Sequence, residues 1–517
     1  MMKSDSAKGK VYLVGGGPGD PGLITVRGAE CIAAADVVVY DYLAAGRLLD
    51  HARPGCELLY VGKKGGDHIL SQEKINALLV EKASRGKTVT RLKGGDPYIF
   101  GRGGEEAEVL AAAGIEFEIV PGVTSAIAAP AYAGIPLTHR RFTSSVAFIT
   151  GHEDPAKKDS AIDWDCLARG IGTLVFLMGV RNLPHIVTKL TEAGKPPDTP
   201  AALVRWGTTS RQQTVTGTLA NIVEQARKAG IKAPAVIVVG RVVGLRPALR
   251  WFERRPLLGK TIIVTRSRAQ ASDLVRRLQE LGAECIQLPT IKVADPDTWQ
   301  PLDDAIDGLA SFQWIVFTSV NGVDFFFRRL KARGKDARAL GAIKTAAIGP
   351  ATAERLADFG LLTDLMPENY RAEAVVEAFA GHHVKGAKIL LARAAEARAV
   401  LPEQLAAMGA RVVEVPVYKT LAETPDQALL DRLFNRRPAD MLTFTSSSTV
   451  TNFHRLAAGA GYNGPEAAAA VACIGPITAR TAGKLGYEVS AVAETYTIDG
   501  LCREIVNFFK HRAAQAT

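Results

Sequence analysis

The sequence has few cysteines, few aromatic residues and no long run of like charges. Its six cysteines are scattered over 517 residues and none forms a C-x-x-C pair, which argues against a zinc knuckle or a disulfide framework and favours a reducing compartment. The N-terminus lacks the apolar segment of a signal peptide. An uncharged stretch at 119–137 is interrupted by Pro121, Pro130 and Pro136, which suits a buried α/β segment better than a membrane span. We therefore expect a soluble, cytoplasmic protein.

The charge is positive but dispersed. The net charge is +10, from 63 Lys and Arg against 53 Asp and Glu, and aromatic residues make up only 7%. This composition argues against a nucleic-acid-binding tail, whereas a diffuse positive potential favours a small polyanionic substrate. With 47% hydrophobic and 22% charged residues the chain is globular, and its length predicts three or four domains.

Short apolar runs alternate with Ala-rich amphipathic segments. Strand-like runs occupy 11–14, 37–40, 173–178, 235–239 and 261–264. Such alternation is typical of α/β domains with largely parallel sheets. The best domain boundary lies near 246–259, a charged stretch with two prolines between apolar runs.

Beyond that boundary the chain repeats itself. G-K-T-I-I-V-T-R from Gly259 is matched by G-A-K-I-L-L-A-R from Gly386, 127 positions later, and F-T-S recurs at the same offset. I-G-P-A-T-A at 348–353 returns as I-G-P-I-T-A at 474–479. The ordered landmarks predict a duplicated α/β unit that forms two similar lobes with a cleft between them.

A glycine-rich loop follows the first predicted strand. Gly17, Gly19 and Gly22 fit G-x-G-x-x-G, and Asp41 ends the next strand, as in a dinucleotide-binding site. Pro18 and Pro21 lack the N–H groups that a pyrophosphate would need. A nicotinamide-dependent oxidoreductase therefore stays an alternative.

A longer set of motifs resembles the uroporphyrinogen-III C-methyltransferase family of tetrapyrrole methylases, over about 10–250. The resemblance rests on V-Y-L-V-G-G-G-P-G-D-P (11–21), V-G-K-K (61–64), R-L-K-G-G-D-P-Y-I-F-G-R-G-G-E-E (91–106), V-P-G-V-T-S-A (120–126), A-G-I-P-L-T-H-R (133–140), T-G-H (150–152) and L-M-G (177–179). It implies two α/β lobes, about 10–121 and 122–250, that hold S-adenosyl-L-methionine between them without a metal. It also implies a homodimer and two successive methyl transfers to uroporphyrinogen III, giving precorrin-2.

The same resemblance assigns site residues. The implied cofactor contacts are Pro18, Gly94, Gly95, Asp96, Ile99, Thr124, Ser125, Met178 and Gly207. The implied acid/base pair is Asp41 and Lys63, because a proton must leave the substrate after methyl transfer. The structural alternatives are a turn residue at a strand end for Asp41 and a solvated surface lysine for Lys63. Arg102 is a further catalytic candidate, either gripping substrate carboxylates or pairing structurally with Glu105 or Glu106. Asp96 has a structural alternative as a turn cap.

The duplicated half resembles uroporphyrinogen-III synthase over about 258–517. The matching features are V-T-R (264–266), F-T-S-x-N-G-V (317–323), both I-G-P-x-T-A motifs, V-P-V-Y (415–418) and F-T-S-S-S (444–448). The family closes hydroxymethylbilane with inversion of ring D, a reaction that requires groups that hold and fold the chain of pyrroles. The implied catalytic residues are Tyr418 and Thr478. Ser319, Ser446 and Ser447 are candidate substrate-binding residues, with helix N-capping as the alternative.

Together these features predict a bifunctional enzyme of sirohaem or cobalamin synthesis. The predicted domains are 10–250, a linker at 251–258, and 259–517, whose lobes the synthase resemblance divides into 259–292 plus 420–517 and 295–416. The repeat spacing alone does not distinguish this division from two sequential lobes. The alternative function is a methyltransferase joined to a non-catalytic tetrapyrrole-binding module.

Overall fold

The computed structural model describes residues 8–43, 46–62, 70–152, 161–265, 268–397, 399–422, 430–431, 433–434 and 439–515. The chain forms two compact units, one of residues 1–260 with 278–284 and one of 261–277 with 285–517. The mixed α/β character predicted from the sequence is confirmed. Within the described residues no helix is long and apolar enough to cross a membrane.

The first sheet of the N-terminal unit is fully parallel. Its strand order is β3-β2-β4-β1-β5. The strands are β1 (Lys10–Gly15), β2 (Val37–Tyr40), β3 (Glu57–Tyr60), β4 (Val89–Lys93) and β5 (Glu116–Val120). Because parallel strands need crossover connections, helices cover both faces, and apolar clusters lie on each side of the sheet.

The second sheet of this unit is mixed, so the prediction of parallel sheets is wrong here. Its order is β6-β7-β10-β8-β9, and only β6 and β7 pair in parallel. The strands are β6 (Val146–Thr150), β7 (Thr173–Leu177), β8 (Pro200–Arg205), β9 (Gln213–Thr218) and β10 (Ala235–Val239). The connection at 206–212 is too short for a parallel crossover, so β8 and β9 are antiparallel.

The segment predicted as a linker at 251–258 is packed within the N-terminal unit. Phe252 and Leu257 are buried, and the Phe252 ring lies 4.8 Å from that of Tyr132. The segment is charged, but its buried apolar side chains pack it against the rest of the unit. The helices of the unit are α1 (Val26–Ala34), α2 (Gln72–Ser84), α3 (Gly103–Ala112), α4 (Ser125–Tyr132), α5 (Trp164–Gly170), α6 (Leu183–Glu192), α7 (Ile222–Lys228) and α8 (Arg246–Leu249).

The C-terminal unit contains two five-stranded sheets, and each sheet combines strands from both sequence repeats. One has the order β12-β11-β18-β19-β20 and the other β13-β17-β16-β14-β15. The strands are β11 (Thr261–Val264), β12 (Glu284–Gln287), β13 (Ile291–Ala294), β14 (Trp314–Phe317), β15 (Lys344–Ala347), β16 (Lys388–Ala394), β17 (Arg411–Ala422), β18 (Met441–Phe444), β19 (Val471–Cys473) and β20 (Val489–Val492). Each repeat therefore contributes strands to both sheets.

The lobe boundaries differ slightly from those predicted. β13 pairs antiparallel with the end of β17, with Ile291 opposite Ala422, so 291–292 and 420–422 belong to the sheet of the middle lobe. The helices of this unit are α9 (Arg268–Glu280), α10 (Gln300–Asp307), α11 (Val320–Ala332), α12 (Pro350–Ala357), α13 (Ala372–Phe379), α14 (Val400–Ala407), α15 (Ser447–Gly459), α16 (Pro476–Lys484) and α17 (Ile498–Gln515).

Candidate functional site

A cavity of about 640 Å³ opens in the N-terminal unit, within the size range of small-molecule sites. Loops that follow strands of both sheets form its wall. All nine residues predicted to contact the cofactor line it: Pro18, Gly94, Gly95, Asp96, Ile99, Thr124, Ser125, Met178 and Gly207. Residues far apart in the sequence are thus brought to one enclosed space, while their contact with a cofactor stays a prediction.

Glycines allow three strand ends to meet at this cavity. Gly17 and Gly95 form a two-way backbone bridge, with N···O distances of 3.2 and 2.7 Å. A Cβ atom on Gly122 would lie 2.3 Å from the Gly95 carbonyl oxygen, and one on Gly15 would lie 2.5 Å from the Gly122 Cα. No side chain fits between these backbones, so the glycines allow the strand ends to pack together beside the cavity, which Gly17 and Gly95 line.

Asp96 performs the structural role that the sequence left open for it. Its Oδ1 accepts hydrogen bonds from the backbone N–H groups of Tyr98 and Ile99, at 2.8 and 3.1 Å. Its Oδ2 accepts from the Gly122 N–H at 2.9 Å. The carboxylate therefore caps a turn and ties the loop after β4 to that after β5, while the residue also faces the cavity.

Unusual backbone geometry concentrates at the same place. Among the described residues, five non-glycine residues have positive φ: Phe100, Arg102, Met178, Trp206 and Thr208. Three of them line the cavity, and Arg102 lines a smaller adjoining pocket that also includes Met178. Because such conformations cost free energy, their clustering marks this region as functional independently of any motif.

The glycine-rich loop after β1 does not present a pyrophosphate cradle. The Gly16 N–H donates to the Lys93 carbonyl at 2.7 Å, and the Gly17 N–H is used in the bridge to Gly95. The Asp20 N–H donates to Thr208 Oγ1 at 3.0 Å. With the N–H groups of this loop largely engaged, and two of its residues prolines, the loop is unsuited to a dinucleotide phosphate.

The cavity also contains residues that sequence reasoning missed. Trp206, Arg181 and Arg211 line it, and the Arg211 guanidinium lies 4.5 Å from the Trp206 ring centroid, within cation–π range. His152, the histidine of the T-G-H motif, lines it too. Trp206, Arg181 and Arg211 lie outside the quoted motifs, so the positive charge of the two arginines was the available signal.

Asp41 lies at one end of a buried ionic network. Its Oδ2 accepts from Arg91 Nη2 at 3.1 Å, while Glu106 Oε1 accepts from Arg91 Nε at 3.3 Å and from Lys93 Nζ at 2.6 Å. Burial, with Arg91 alongside, holds the pKa of Lys93 below its usual range despite Glu106. The network orients Asp41 just before cavity residues Tyr42 and Leu43. Lys63 lies outside the described residues.

Arg102 forms the ion pair foreseen as its structural alternative. Its Nε and Nη2 donate to the two carboxylate oxygens of Glu105, at 2.8 and 2.6 Å. The partner is therefore Glu105, since Glu106 is fully buried on the other side of α3. Both members of the pair are more than half exposed, so the guanidinium is open to a further anion.

In the C-terminal unit, two predicted site residues meet in the middle lobe. Tyr418, on β17, is buried, and its Oη lies 3.1 Å from Ser319 Oγ. The Ser319 hydroxyl also caps α11 by accepting from the Gly322 N–H at 3.0 Å. Burial raises the pKa of Tyr418 above its ordinary value of 10.0, more than the hydrogen bond to Ser319 lowers it. The phenol is thus a neutral hydrogen-bonding group at physiological pH.

The other three predicted residues lie in the lobe built on the sheet β12-β11-β18-β19-β20. Ser446 caps α15 in a capping box with Thr449, which is the structural role foreseen for it. The Ser447 hydroxyl accepts from Thr481 Oγ1 at 3.0 Å. Thr478 is buried in the first turn of α16. The five residues thus form two separate groups, one in each lobe.

Comparisons with known proteins agree with this two-part organisation. Family models match at residues 10–223, Tetrapyrrole (Corrin/Porphyrin) Methylases, and at 272–503, Uroporphyrinogen-III synthase HemD. Porphyrin biosynthesis protein HemD of Ruminiclostridium josui is 39% identical over 96% of this chain and 98% of its own. An S-adenosyl-L-methionine-dependent uroporphyrinogen III methyltransferase of Methanosarcina barkeri is 56% identical over 47% of this chain and 94% of its own. A Thermus thermophilus uroporphyrin-III C-methyl transferase structure with S-adenyl homocysteine is 40% identical, covering 46% of this chain and 100% of its own, with a TM-score of 0.40.

Proposed function

The chain belongs to the family that joins a tetrapyrrole methylase to a uroporphyrinogen-III synthase, and we propose that it performs both reactions. Its C-terminal unit cyclises hydroxymethylbilane to uroporphyrinogen III, and its N-terminal unit methylates that product twice to give precorrin-2. The observation that carries the methyltransferase assignment is the glycine-built cavity lined by all nine predicted cofactor-contacting residues. The full-length likeness to the Ruminiclostridium protein supports the pairing of the two activities.

The cavity suits S-adenosyl-L-methionine, which supplies a methyl group on a sulfonium. Gly94 and Gly95 let backbone polar groups approach a ligand, since Gly95 has φ +70° and a Cβ on Gly94 would lie 2.5 Å from that of Leu43. The N-terminus of α4, at Thr124 and Ser125, lies next to Gly95 and adds backbone N–H groups to the cavity. The protein's contribution is to hold donor methyl and pyrrole carbon in line, which is where most of the acceleration of such a displacement arises.

Substrate handling falls to the rim of the cavity. The exposed Arg102 guanidinium, kept in a left-handed backbone conformation and oriented by Glu105, is a carboxylate-binding group. Asp41 is the proton acceptor after methyl transfer, and the hydrogen bond from Arg91 orients its carboxylate. Lys63 completes the pair that the family resemblance implies.

The synthase reaction needs groups that hold carboxylates and stabilise a cationic intermediate. Tyr418, hydrogen-bonded to Ser319, is the catalytic group of the middle lobe. Thr478 is the catalytic group of the other lobe, and Ser447, beside the N-terminus of α16, is a substrate-binding group. Ser319 and Ser446 act as helix caps, so their part in binding is through the backbone N–H groups that they order.

We further propose a cytoplasmic homodimer that uses no metal. No disulfide joins cysteines in the described part of the chain, consistent with a reducing compartment. Among those same residues, no cluster of His, Cys, Asp and Glu has the makings of a metal site. The dimer rests on the methyltransferase resemblance, and size-exclusion chromatography with light scattering tests it.

The decisive experiment is anaerobic incubation of the whole chain with hydroxymethylbilane, with and without S-adenosyl-L-methionine. The expected products are the type III macrocycle alone and, with the cofactor, the same macrocycle carrying two added methyl groups, resolved by mass and isomer analysis. Supplied uroporphyrinogen III tests methylation separately. Formation of the type I isomer alone would refute the synthase and favour a tetrapyrrole-binding module, and binding of NAD instead of the methyl donor would refute the methyltransferase.

A further inference from the structure

The segment predicted as a linker contains a largely buried acid, Glu253, whose contacts reach the cofactor cavity through other side chains. We propose that Glu253 is a positioning residue that sets the spacing between two walls of this cavity, acting through Gln212 and Thr208. This inference rests on the proposed role of the cavity as the S-adenosyl-L-methionine site.

The two walls are the loop after β1 and the turn after β8. Pro18 and Gly19 line the cavity from the first wall, and residues 206–207 and Thr209 line it from the second. A Cβ atom on Gly19 would lie 2.7 Å from Thr209 Cγ2, so the walls touch. A hydrogen bond from the Asp20 N–H to Thr208 Oγ1, at 3.0 Å, joins them.

The turn that carries Thr208 is strained and needs support. Thr208 has φ +71° and is 3% exposed, and its N–H donates to Gln212 Oε1 at 2.9 Å. A β-branched residue rarely adopts this conformation, so neighbouring groups must hold it. Gln212, itself buried, is the group that does so.

Glu253 determines which way the Gln212 amide points. Gln212 Nε2 donates to Glu253 Oε1 at 2.9 Å, which leaves its carbonyl oxygen for the Thr208 N–H. Thr214 Oγ1 donates to the same Glu253 oxygen at 2.5 Å, and Arg246 pairs with the other. Because an amide has one donor end and one acceptor end, removal of the acceptor at 253 lets Gln212 rotate away from Thr208.

Glu253 is also held firmly in place. The Phe252 and Trp251 rings pack 4.8 and 5.0 Å from the ring of Tyr132. The Tyr132 hydroxyl donates to Asp20 Oδ2 at 2.8 Å, on the first wall of the cavity. The segment is thus tied to the first wall through Tyr132 and to the second through Gln212.

The test is calorimetric titration of S-adenosylhomocysteine into the full chain and its variants. Glu253→Ala is expected to weaken binding by about tenfold, the loss of one partly buried hydrogen bond to a charged group. Glu253→Gln keeps an acceptor for Gln212 and is expected to stay within about threefold of the parent. Thr208→Val removes the acceptor for the Asp20 N–H without changing Glu253, and is expected to weaken binding as Glu253→Ala does.

The matched control is Glu224→Ala, which removes an exposed acid on α7 paired with Lys228 at 2.7 Å. Hydrogen exchange on peptides of β4 and β8 shows for each preparation that the N-terminal unit is folded. In steady state, Glu253→Ala should raise the cofactor KM and leave the KM for uroporphyrinogen III unchanged. Equal affinity of Glu253→Ala and the parent, or equal losses in Glu253→Ala and Glu253→Gln, would overturn the positioning role. Failure of the parent to bind the cofactor would instead overturn the proposed function.

Discussion

Glu106 offers a sharp test of how the buried network supports the site. It is fully buried on α3 and pairs through Oε1 with Arg91 and Lys93, each about 5% exposed or less. Glu106→Ala leaves two buried cations with one fewer counter-charge. Breaking a buried pair in this way costs about 3–5 kcal/mol, far more than an exposed pair contributes.

The second carboxylate oxygen of Glu106 allows the stability losses of two further variants to be predicted. Oε2 is buried with no hydrogen-bond partner among the described residues. Glu106→Gln retains the Oε1 acceptor but places a buried N–H₂ group where no acceptor lies, so we expect a loss of about 1.5–3 kcal/mol. Adding Lys93→Met to Glu106→Ala removes one of the orphaned cations and should recover about 1–2 kcal/mol, a coupling that a double-mutant cycle measures.

Hydrogen exchange read by mass spectrometry on β4 peptides isolates the N-terminal unit from the C-terminal one. The free energy of opening should fall in the order parent, Glu106→Gln, Glu106→Ala. Glu108→Ala on the exposed face of the same helix is the control, with an expected change below about 0.5 kcal/mol. A loss below about 1 kcal/mol for Glu106→Ala would refute the reasoning, because the two cations would then be solvated in the folded state.

Three further outcomes are expected. Tyr418→Phe removes the hydroxyl beside Ser319 and should slow cyclisation roughly 10- to 100-fold, with methylation of supplied uroporphyrinogen III unchanged; an unchanged rate of type III formation would contradict the role given to the phenol. Gly122→Ala places a Cβ 2.3 Å from the carbonyl oxygen of Gly95, a cavity residue, and should weaken cofactor binding more than about tenfold in calorimetry; parental affinity would show that the backbone at Gly95 can shift without harm to the cavity. Burial raises the pKa of Cys473 from 9.0 to about 12. Since the unfolded thiol ionises first, the unfolding free energy of the parent should fall by up to about 1.4 kcal/mol per pH unit more steeply than that of Cys473→Ala between pH 9 and 12, a difference that denaturant titrations measure.

Much of the cavity was predictable because its residues fall in contiguous motifs at strand ends. The run 91–106 carries Gly94, Gly95 and Asp96 directly after β4, and the carboxyl ends of parallel strands meet at one edge of a sheet. What the motifs did not reveal was which polar side chains turn inward. Arg91 and Lys93 are two positions apart and therefore lie on the same face of β4, and this spacing was a signal that one buried acid pairs with both.

Other features depend on contacts that no local pattern specifies. Glu105 and Glu106 are adjacent in sequence, yet the start of α3 after the left-handed Arg102 places one outside and the other inside. Glu253 was read as part of a linker because arginines and prolines surround it. Its aromatic neighbours Trp251 and Phe252 were the signal that this segment packs.

Strands of the two sequence repeats pair with each other in both sheets of the C-terminal unit. The 127-residue offset between the repeats did not predict this pairing. β11 pairs with β18 through Ile262 and Met441, so the first strand of one repeat is completed only by the second repeat. Likewise β16 of the second repeat pairs with β14 of the first, with Trp314 opposite Ile389. Neither repeat holds a complete five-stranded sheet, and a chain cut near Gly386 would leave unpaired strand edges in both lobes. The sequence is therefore duplicated but the folding unit is not, because each five-stranded sheet is complete only when both repeats are present.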